Sequence, residues 1–291
     1  MSSAPTVTIV TDRAHIPLSA GDQAYADAME SMGCHVVPVS WNDPAWRQTG
    51  GPTASDVIVF RSPWDIWEQP GRHLEFLSLL DHLEHHAKCV LNHPDVLRWG
   101  LDKETVSDLT PLGLNVPPSL QVSDVSDALS TMRAKGWSQS VIKPSNGGSG
   151  FGVALLDNAR ENNIQLPEID GSWLLQPFYP EIAKGELNLV LIDGEPSHMI
   201  RKVPAENEWR SNWKFKPTWT LEPIAPKVAE AARKVMKRFS EPPLYARVDG
   251  IMVDNAFLLL EVEVVSPSLF IPFYPEAAHL LATATLRHIN G

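Results

Sequence analysis

A chain of 291 residues, 43% hydrophobic and 20% charged, has the composition of a globular protein and the length for more than one packed unit. Its formal charge of −11 argues against a nucleic-acid partner, whose phosphates it would repel. Two cysteines form no disulfide framework, no apolar run approaches the roughly 20 residues of a membrane span, and no signal peptide is seen, so a cytoplasmic protein without a membrane partner is expected.

Residues 6–10, TVTIV, read as a buried strand ending in Thr11, Asp12 and Arg13. A helix over 23–32 is closed by Gly33. Strands are expected at 34–40 and 56–60, the second leading into Arg61, Ser62, Pro63, Trp64 and Asp65. Leu74, Leu77, Leu80 and Leu83 have helical spacing and predict a helix over 73–86, with a strand at 89–92. This alternation predicts a parallel sheet covered by helices, in which ligands sit at the carboxyl ends of strands. Arg61 and Asp65 fall there and are candidate substrate contacts; for Arg61, pairing with a neighbouring carboxylate is an equal alternative. His82 and His86 lie one helical turn apart near Cys89, but no second ligand pair has structural-zinc spacing, and a solvated helix end is expected.

The pattern changes across residues 92–101, which places a first boundary after residue 100. Residues 102–112 have helical character and stop at Gly113, NVPPS is extended, and a helix over 126–135 ends at Gly136. The run SVIKPSNGGSGFGVALL then reads as strand, lysine, glycine-rich loop and strand. Gly147, Gly148, Gly150 and Gly152 remove the Cβ atoms that would block close backbone approach, and bare amides can cradle phosphate oxygens beside Lys143. It is not a Walker loop, because no GK[ST] follows and a strand comes next. LLQPF, ending at Phe178, is a short strand, and a second boundary near Tyr179 divides a central unit, 101–178, from a C-terminal one, 179–291.

Glu186, Leu187 and Asn188 open a strand that turns into HMIRKVP, with Arg201 and Lys202 near its end. The aperiodic run ENEWRSNWKFKP is expected to be a mobile loop, with Arg210, Lys214 and Lys216 making it a candidate positive lid. Helices are expected over 226–238 and 275–288. Between them, RVDGIMVDNAFLLLEVEVVSPS reads as a β-hairpin with Asp254 and Asn255 at its tip. Alternation puts Glu261 and Glu263 on one face and Leu260, Val262 and Val264 on the other, and with the tip at Asp254 and Asn255, Asp249 falls opposite Glu261, give or take a residue of register. Three crowded carboxylates call for protons or a cation, and Mg²⁺ is the economical answer.

In this order the pieces resemble the ATP-grasp superfamily, near its glutathione-synthetase and ribosomal-protein-glutamate-ligase branch. The resemblance rests on Lys103, on Lys143 before GGSGFG, on LLQPF, GELNL and WRSN, and on RVD followed by an E-x-E and Ser266-Pro267. It implies an α/β (α+β) ATP-grasp fold, in which an N-terminal parallel α/β substrate domain precedes two α+β subdomains clasping ATP. It further implies that Lys103 and Lys143 hold the phosphates under a loop comprising Ser145, Gly147, Gly148, Ser149, Gly150 and Gly152. Backbone at Gln176, Phe178 and Tyr179 would meet adenine, and Glu186 the ribose. Asp249, Glu261 and Glu263 would bind Mg²⁺, and Arg210, Asn212 and Arg247 would stabilise the transferring phosphoryl group and the tetrahedral intermediate. Ser268 joins Arg61 and Asp65 as an expected substrate contact. Glu263 stands where the family commonly has Asn, and Asn188 where a basic residue is often found. The implied activity is ATP-dependent ligation of a small amino-acid or peptide carboxylate to a nitrogen nucleophile, by a monomer or homodimer. RSPWD and LLEVEVVSPSLF look most like the amino-acid ligases of antibiotic biosynthesis, among them those that close O-ureido-serine to cycloserine. The alternatives are a small-molecule kinase and a nucleotide-binding module without catalysis.

Overall fold

Three sheets follow one another along the chain in a computed structural model that describes residues 4–48, 50–69, 71–148, 150–160, 164–169 and 171–290. The first is parallel, ordered β2-β1-β3-β4, from β1 (Thr6–Thr11), β2 (His35–Ser40), β3 (Val57–Ser62) and β4 (Val90–Leu91). Its helices are α1 (Ala20–Ser31), the short α2 (Pro44–Gln48) and α3 (Gly51–Ala54), α4 (Arg72–His86) and α5 (Pro94–Leu101). Ser19 caps α1 by accepting from the Asp22 amide, and Gly33, at φ 88°, takes the left-handed stop that its sequence position implies. Strand β3 runs two residues further than the sequence suggests, so Arg61 and Ser62 are strand residues and buried. His82 and His86 stack on each other at 4.2 Å on α4, and the His85 and His86 Nδ1 atoms bond carbonyls of their own helix. Neither His82 nor His86 belongs to a metal-competent cluster among the described residues.

The second sheet is antiparallel, ordered β5-β8-β6-β7, from β5 (Leu120–Val122), β6 (Gln139–Pro144), β7 (Ala154–Asp157) and β8 (Trp173–Pro177), with α6 (Val125–Lys135) packed on it. The expected helix at 102–112 is a 3-10 helix, Lys103–Leu112, with Pro111 inside it. The third sheet is ordered β11-β10-β9-β12-β13, from β9 (Glu186–Ile192), β10 (Glu195–Val203), β11 (Thr218–Glu222), β12 (Tyr245–Val253) and β13 (Ala256–Glu263). One face packs on α7 (Pro226–Met236) and the 3-10 helix. The other shares a core with α1, α8 (Glu276–Asn290) and the first sheet, where Val190 and Ile200 meet Tyr25 and Leu281. Each sheet draws its strands from one stretch of chain, and on that ground we propose boundaries near residues 100 and 178. Among the described residues no helix is long and apolar enough to cross a membrane.

The joint between the first and third sheets is polar at its centre. Arg61 Nε donates to Asp22 Oδ1 at 3.0 Å, Ser62 Oγ donates to Asp22 Oδ2, and Arg61 Nη2 donates to the Pro267 carbonyl at 3.2 Å. The guanidinium lies 4.7 Å over the Tyr245 ring, whose hydroxyl donates to the carbonyls of Phe60 and Val265. Arg61 and Asp22 are each 2% exposed, so each relies on the other to compensate a charge that water does not reach. Asp22→Asn leaves a buried guanidinium without a counter-charge. A loss of about 3–5 kcal/mol is expected, seen as a lower thermal midpoint; an unchanged midpoint would show that the ion pair does not hold the joint.

Candidate active site

The β12–β13 hairpin carries the acidic group. Its register sets Asp249 opposite Glu261 and Arg247 opposite Glu263, then slips between Asp249 and Gly250, which pairs with Leu259. The slip is a bulge with Leu260 as the extra residue. Strict alternation would send Leu260 to the far face; the bulge instead turns it into the cleft beside Glu261. Gly250 permits this approach, since a Cβ there would stand 2.3 Å from the Leu258 carbonyl oxygen.

Carboxylate oxygens of Asp249, Glu261 and Glu263 all lie within 4.8 Å of one another. Arg247 clamps two of them, donating to Asp249 through Nε at 2.9 Å and Nη2 at 2.7 Å, and to Glu263 through Nη2 at 2.7 Å. Lys103 Nζ lies 3.1 Å from Glu261 Oε1. Burial alone would lift the Glu261 carboxyl, but Lys103 and Lys143 beside it hold it well below the usual carboxylate range. Burial wins at Glu263, whose carboxyl is pushed up despite Arg247, helped by the charges of Glu261 and Asp249. Burial likewise lowers the Lys143 ammonium, with Glu261 opposing. An all-oxygen donor set under mutual repulsion fits a hard divalent cation.

A cavity of about 190 Å³ leads from this group along the second sheet, past Lys143, Gln176, Phe178 and Tyr179. Gln176 is anchored by Nε2 donating to Ser119 Oγ at 2.6 Å, and Phe178 meets the edge of Trp209 at 5.8 Å, so the far end is a slot with apolar walls. Glu186 at its rim accepts from Ser211 Oγ at 2.5 Å and lies 3.6 Å from Lys202 Nζ, its cross-strand partner. In the glycine-rich segment the Gly147 carbonyl accepts from Lys103 Nζ, and the Ser145 carbonyl accepts from the Lys103 amide at 2.9 Å. Gly150 and Gly152 hold positive φ of 73° and 67°. Ser149 lies outside the described residues. Arg210 lines the cleft but is committed to Glu208, at 3.0 and 2.9 Å, and stacks 3.7 Å over Phe215. Asn212 reaches the glycine-rich segment: a Cβ on Gly150 would stand 2.8 Å from its Oδ1.

A second cavity, about 320 Å³, adjoins the first and shares Lys103, Lys202, Arg247, Glu261 and Glu263 with it. Its other walls are aromatic, with Trp64, Trp67, Trp213, Trp219 and Phe270. Ser268 lines it and its carbonyl accepts from Arg247 Nη1 at 3.2 Å. Arg61 and Asp65, expected here from the sequence, do not line it. Arg61 is spent on the buried pair with Asp22. Asp65 accepts from Trp41 Nε1 and, at 2.7 Å, from Arg72, which fixes the turn presenting Trp64 and Trp67. Asn188, fully buried and in register opposite Asp249, has no hydrogen-bond partner for Oδ1 among the described residues.

Lys202 is the main residue that sequence reading passed over. The alternation of HMIRKVP already separated it from Arg201, and the structure sends Arg201 to Glu222 on the other face. The four tryptophans carried no positional signal, because three come from short 3-10 turns, Trp64–Trp67 and Trp213–Phe215, and Trp219 from the edge strand β11.

Comparison with known proteins bears on this geometry. The model of the prokaryotic glutathione synthetase ATP-grasp domain matches residues 110–272, more than half of the chain, so the chain belongs to this family of ATP-grasp ligases, enzymes that form carbon–nitrogen bonds. The N-terminal domain of the D-cycloserine synthetase DcsG matches residues 7–92. The cycloserine biosynthesis protein DcsG of Streptomyces lavendulae is 27% identical over 98% of this chain and 99% of its own length. Glutathione synthetase of Rhodopseudomonas palustris is 29% identical over 73% of this chain and 66% of its own. Among solved structures, the crystal structure of D-cycloserine synthetase DcsG superposes with a TM-score of 0.80 at 23% identity, covering 98% and 99% of the two chains. D-alanine–D-alanine ligase from Bacillus anthracis complexed with ATP superposes at 0.66 and 15% identity, covering 99% of each chain.

Lys202 faces both cavities and Arg201 faces neither, which separates their expected effects. Losing a hydrogen bond to a charged group costs about 1.5–3 kcal/mol, so Lys202→Ala should lower kcat/KM for ATP roughly 10- to 150-fold, measured by ADP release. Arg201→Ala should change it by less than about threefold, as exposed ion pairs do. Equal effects from the two would show that Lys202 makes no contact with nucleotide.

Proposed function

We propose that this enzyme uses ATP to activate the carboxylate of a small amino acid as an acyl phosphate, and that a nitrogen of the same molecule then attacks it, as in closure of O-ureido-serine to cycloserine. The observation that carries the reading is the meeting of two cavities at one shared set of charges, so that a carboxylate in the aromatic-walled cavity faces the phosphate end of the nucleotide cavity. The cyclic product is favoured by relatedness to DcsG across both the N-terminal unit and the whole length, where the glutathione synthetase from R. palustris aligns over 73% of the chain.

Asp249, Glu261 and Glu263 would hold Mg²⁺, which when bound supplies charge neutralisation at the phosphates. Gln176, Phe178 and Tyr179 would border the base and Glu186 the ribose. Lys103, Lys143 and Lys202 would bind phosphate oxygens, with the amides of 145–152 around them. The substrate carboxylate attacks the γ-phosphorus, the bond to the ADP oxygen breaks, and the acyl phosphate forms. The nitrogen attacks the acyl carbon and gives up its proton to solvent, the tetrahedral oxyanion forms beside Arg247, and phosphate leaves with the carbon–oxygen bond electrons; with O-ureido-serine the carbamoyl group on that nitrogen is then lost by hydrolysis as carbon dioxide and ammonia. Arg210 and Asn212 edge the cavity from the 206–217 loop and, with the aromatic walls, exclude the water that would hydrolyse the intermediate. We place the reaction in the cytoplasm, where ATP and Mg²⁺ are supplied, and assign it to a monomer or homodimer with small-molecule substrates only.

Incubation with ATP, Mg²⁺, hydroxylamine and a panel of amino acids including O-ureido-serine tests the reading. A hydroxamate with one of them, together with ADP, is the expected result. ADP and a phosphorylated product stable to hydroxylamine would replace the ligase by a kinase. Glu261→Gln with Glu263→Gln in a folded protein should lower ADP formation by roughly 10²–10³, the scale of losing an electrostatic stabiliser.

A further inference from the structure

We propose that Trp67 is a positioning residue that couples occupancy of the aromatic-walled cavity to the seating of residues 145–148, so that the amino-acid substrate and the nucleotide bind cooperatively. The inference rests on the ligase reading above, which supplies the two ligands.

The glycines of this segment are there for different reasons. Gly150 and Gly152 have positive φ, where other residues are strained. Gly148 does not; its φ lies outside the left-handed region. What it lacks is room. A Cβ on Gly148 would stand 2.7 Å from Cδ1 and 2.9 Å from Nε1 of the Trp67 indole. Gly147, next to it, would accept a Cβ, its nearest neighbour being a Pro144 carbon at 3.4 Å. The bare backbone at Gly148 is thus a seat for one side chain from the N-terminal unit.

The same indole lines the 320 Å³ cavity, so it forms part of the wall between substrate and glycine-rich segment. Its own footing is firm. Ile66 is fully buried, Asp65 is held by Trp41 and Arg72, and the Trp67 ring stacks on His73 at 6.5 Å with 20° between planes. Beyond Gly148 the contacts continue: the Gly147 carbonyl accepts from Lys103 Nζ, and Lys103 pairs with Glu261. A ligand packed on Trp67 restricts the indole, the indole holds residues 145–148, and that segment holds a phosphate-facing lysine. Whichever ligand binds second meets groups already ordered by the first, which is a coupling free energy between the two sites.

Calorimetric titration of the enzyme with adenylyl imidodiphosphate and Mg²⁺, with and without saturating O-ureido-serine, reads this coupling as a ratio of Kd values. The wild type should show a ratio of about tenfold, within the usual range of such couplings. Trp67→Ala should bring it near one, and Trp67→Phe should keep most of it. Gly148→Ala should collapse the ratio in the wild-type background, yet change nothing further in Trp67→Ala, where the indole it would meet is gone. A ratio unchanged by Trp67→Ala, or a Gly148→Ala effect of equal size in both backgrounds, overturns the proposal. A wild type that forms hydroxamate but shows a ratio of one also overturns it while leaving the ligase reading intact. A wild type that forms no hydroxamate with any substrate removes the ligase reading and this inference together.

Discussion

The structure depends on keeping three carboxylates together on one hairpin. Asp249, Glu261 and Glu263 repel one another, and burial, nearly complete for Asp249 and partial for the two glutamates, raises the cost of each charge. Three cations answer them, Arg247 by a two-pronged clamp, Lys103 by direct contact and Lys143 from the facing sheet, while Lys202 pairs with Glu186 at the rim. Counting Glu186, four acids face four bases. The cleft is balanced internally although the whole chain carries −11, which is why overall charge says little about what the cleft accepts.

That balance has to be held in place relative to the aromatic-walled cavity, and strand β12 does both tasks. Arg247 and Asp249 point into the cleft, while Tyr245, two residues earlier on the same face, reaches the Phe60 carbonyl on β3 and lies under Arg61. The strand that presents the acids is therefore hydrogen-bonded to the sheet from which the Trp64–Trp67 turn emerges. Arg61 and Asp65, which the sequence offers as substrate contacts, serve the cavity from behind: one fixes the joint, the other the turn.

How far this was readable follows from what kind of signal each part leaves. The hairpin was legible because period-two alternation and a polar tip need only local sequence, but plain counting from that tip sets Asp249 opposite Leu260, and it is the bulge that brings Glu261 there. Leu260 was misplaced because a bulge changes the count by one without altering composition; only Gly250, which a Cβ would drive into a backbone oxygen, hints at it. Strand β11 was absent from the reading because it is an edge strand with residues on both faces exposed or half-exposed, so alternation has nothing to report. Arg61 could not be decided locally, since its partner, Asp22, lies on a helix 39 residues earlier. Lys202 was within reach: its neighbour Arg201 must point the other way, and the Asp193-Gly194 turn brings it opposite Glu186.

Glu263 shows how a carboxylate is accommodated where the sequence resemblance leads one to expect an amide. An amide at this position would need no counter-charge, whereas a third carboxylate needs another positive group or a proton. Arg247 supplies it without a new residue, because a guanidinium has donors to spare: Nε and Nη2 take Asp249, the same Nη2 reaches Glu263, and Nη1 is left for the Ser268 carbonyl. A lysine could not do this, having a single nitrogen to place. The arginine is raised far above its usual range, despite burial, by Asp249 and Glu263, so it stays charged while it bridges them. The extra negative charge is thus tied to a side chain that lines both cavities, so a change at Glu263 is felt in each of them.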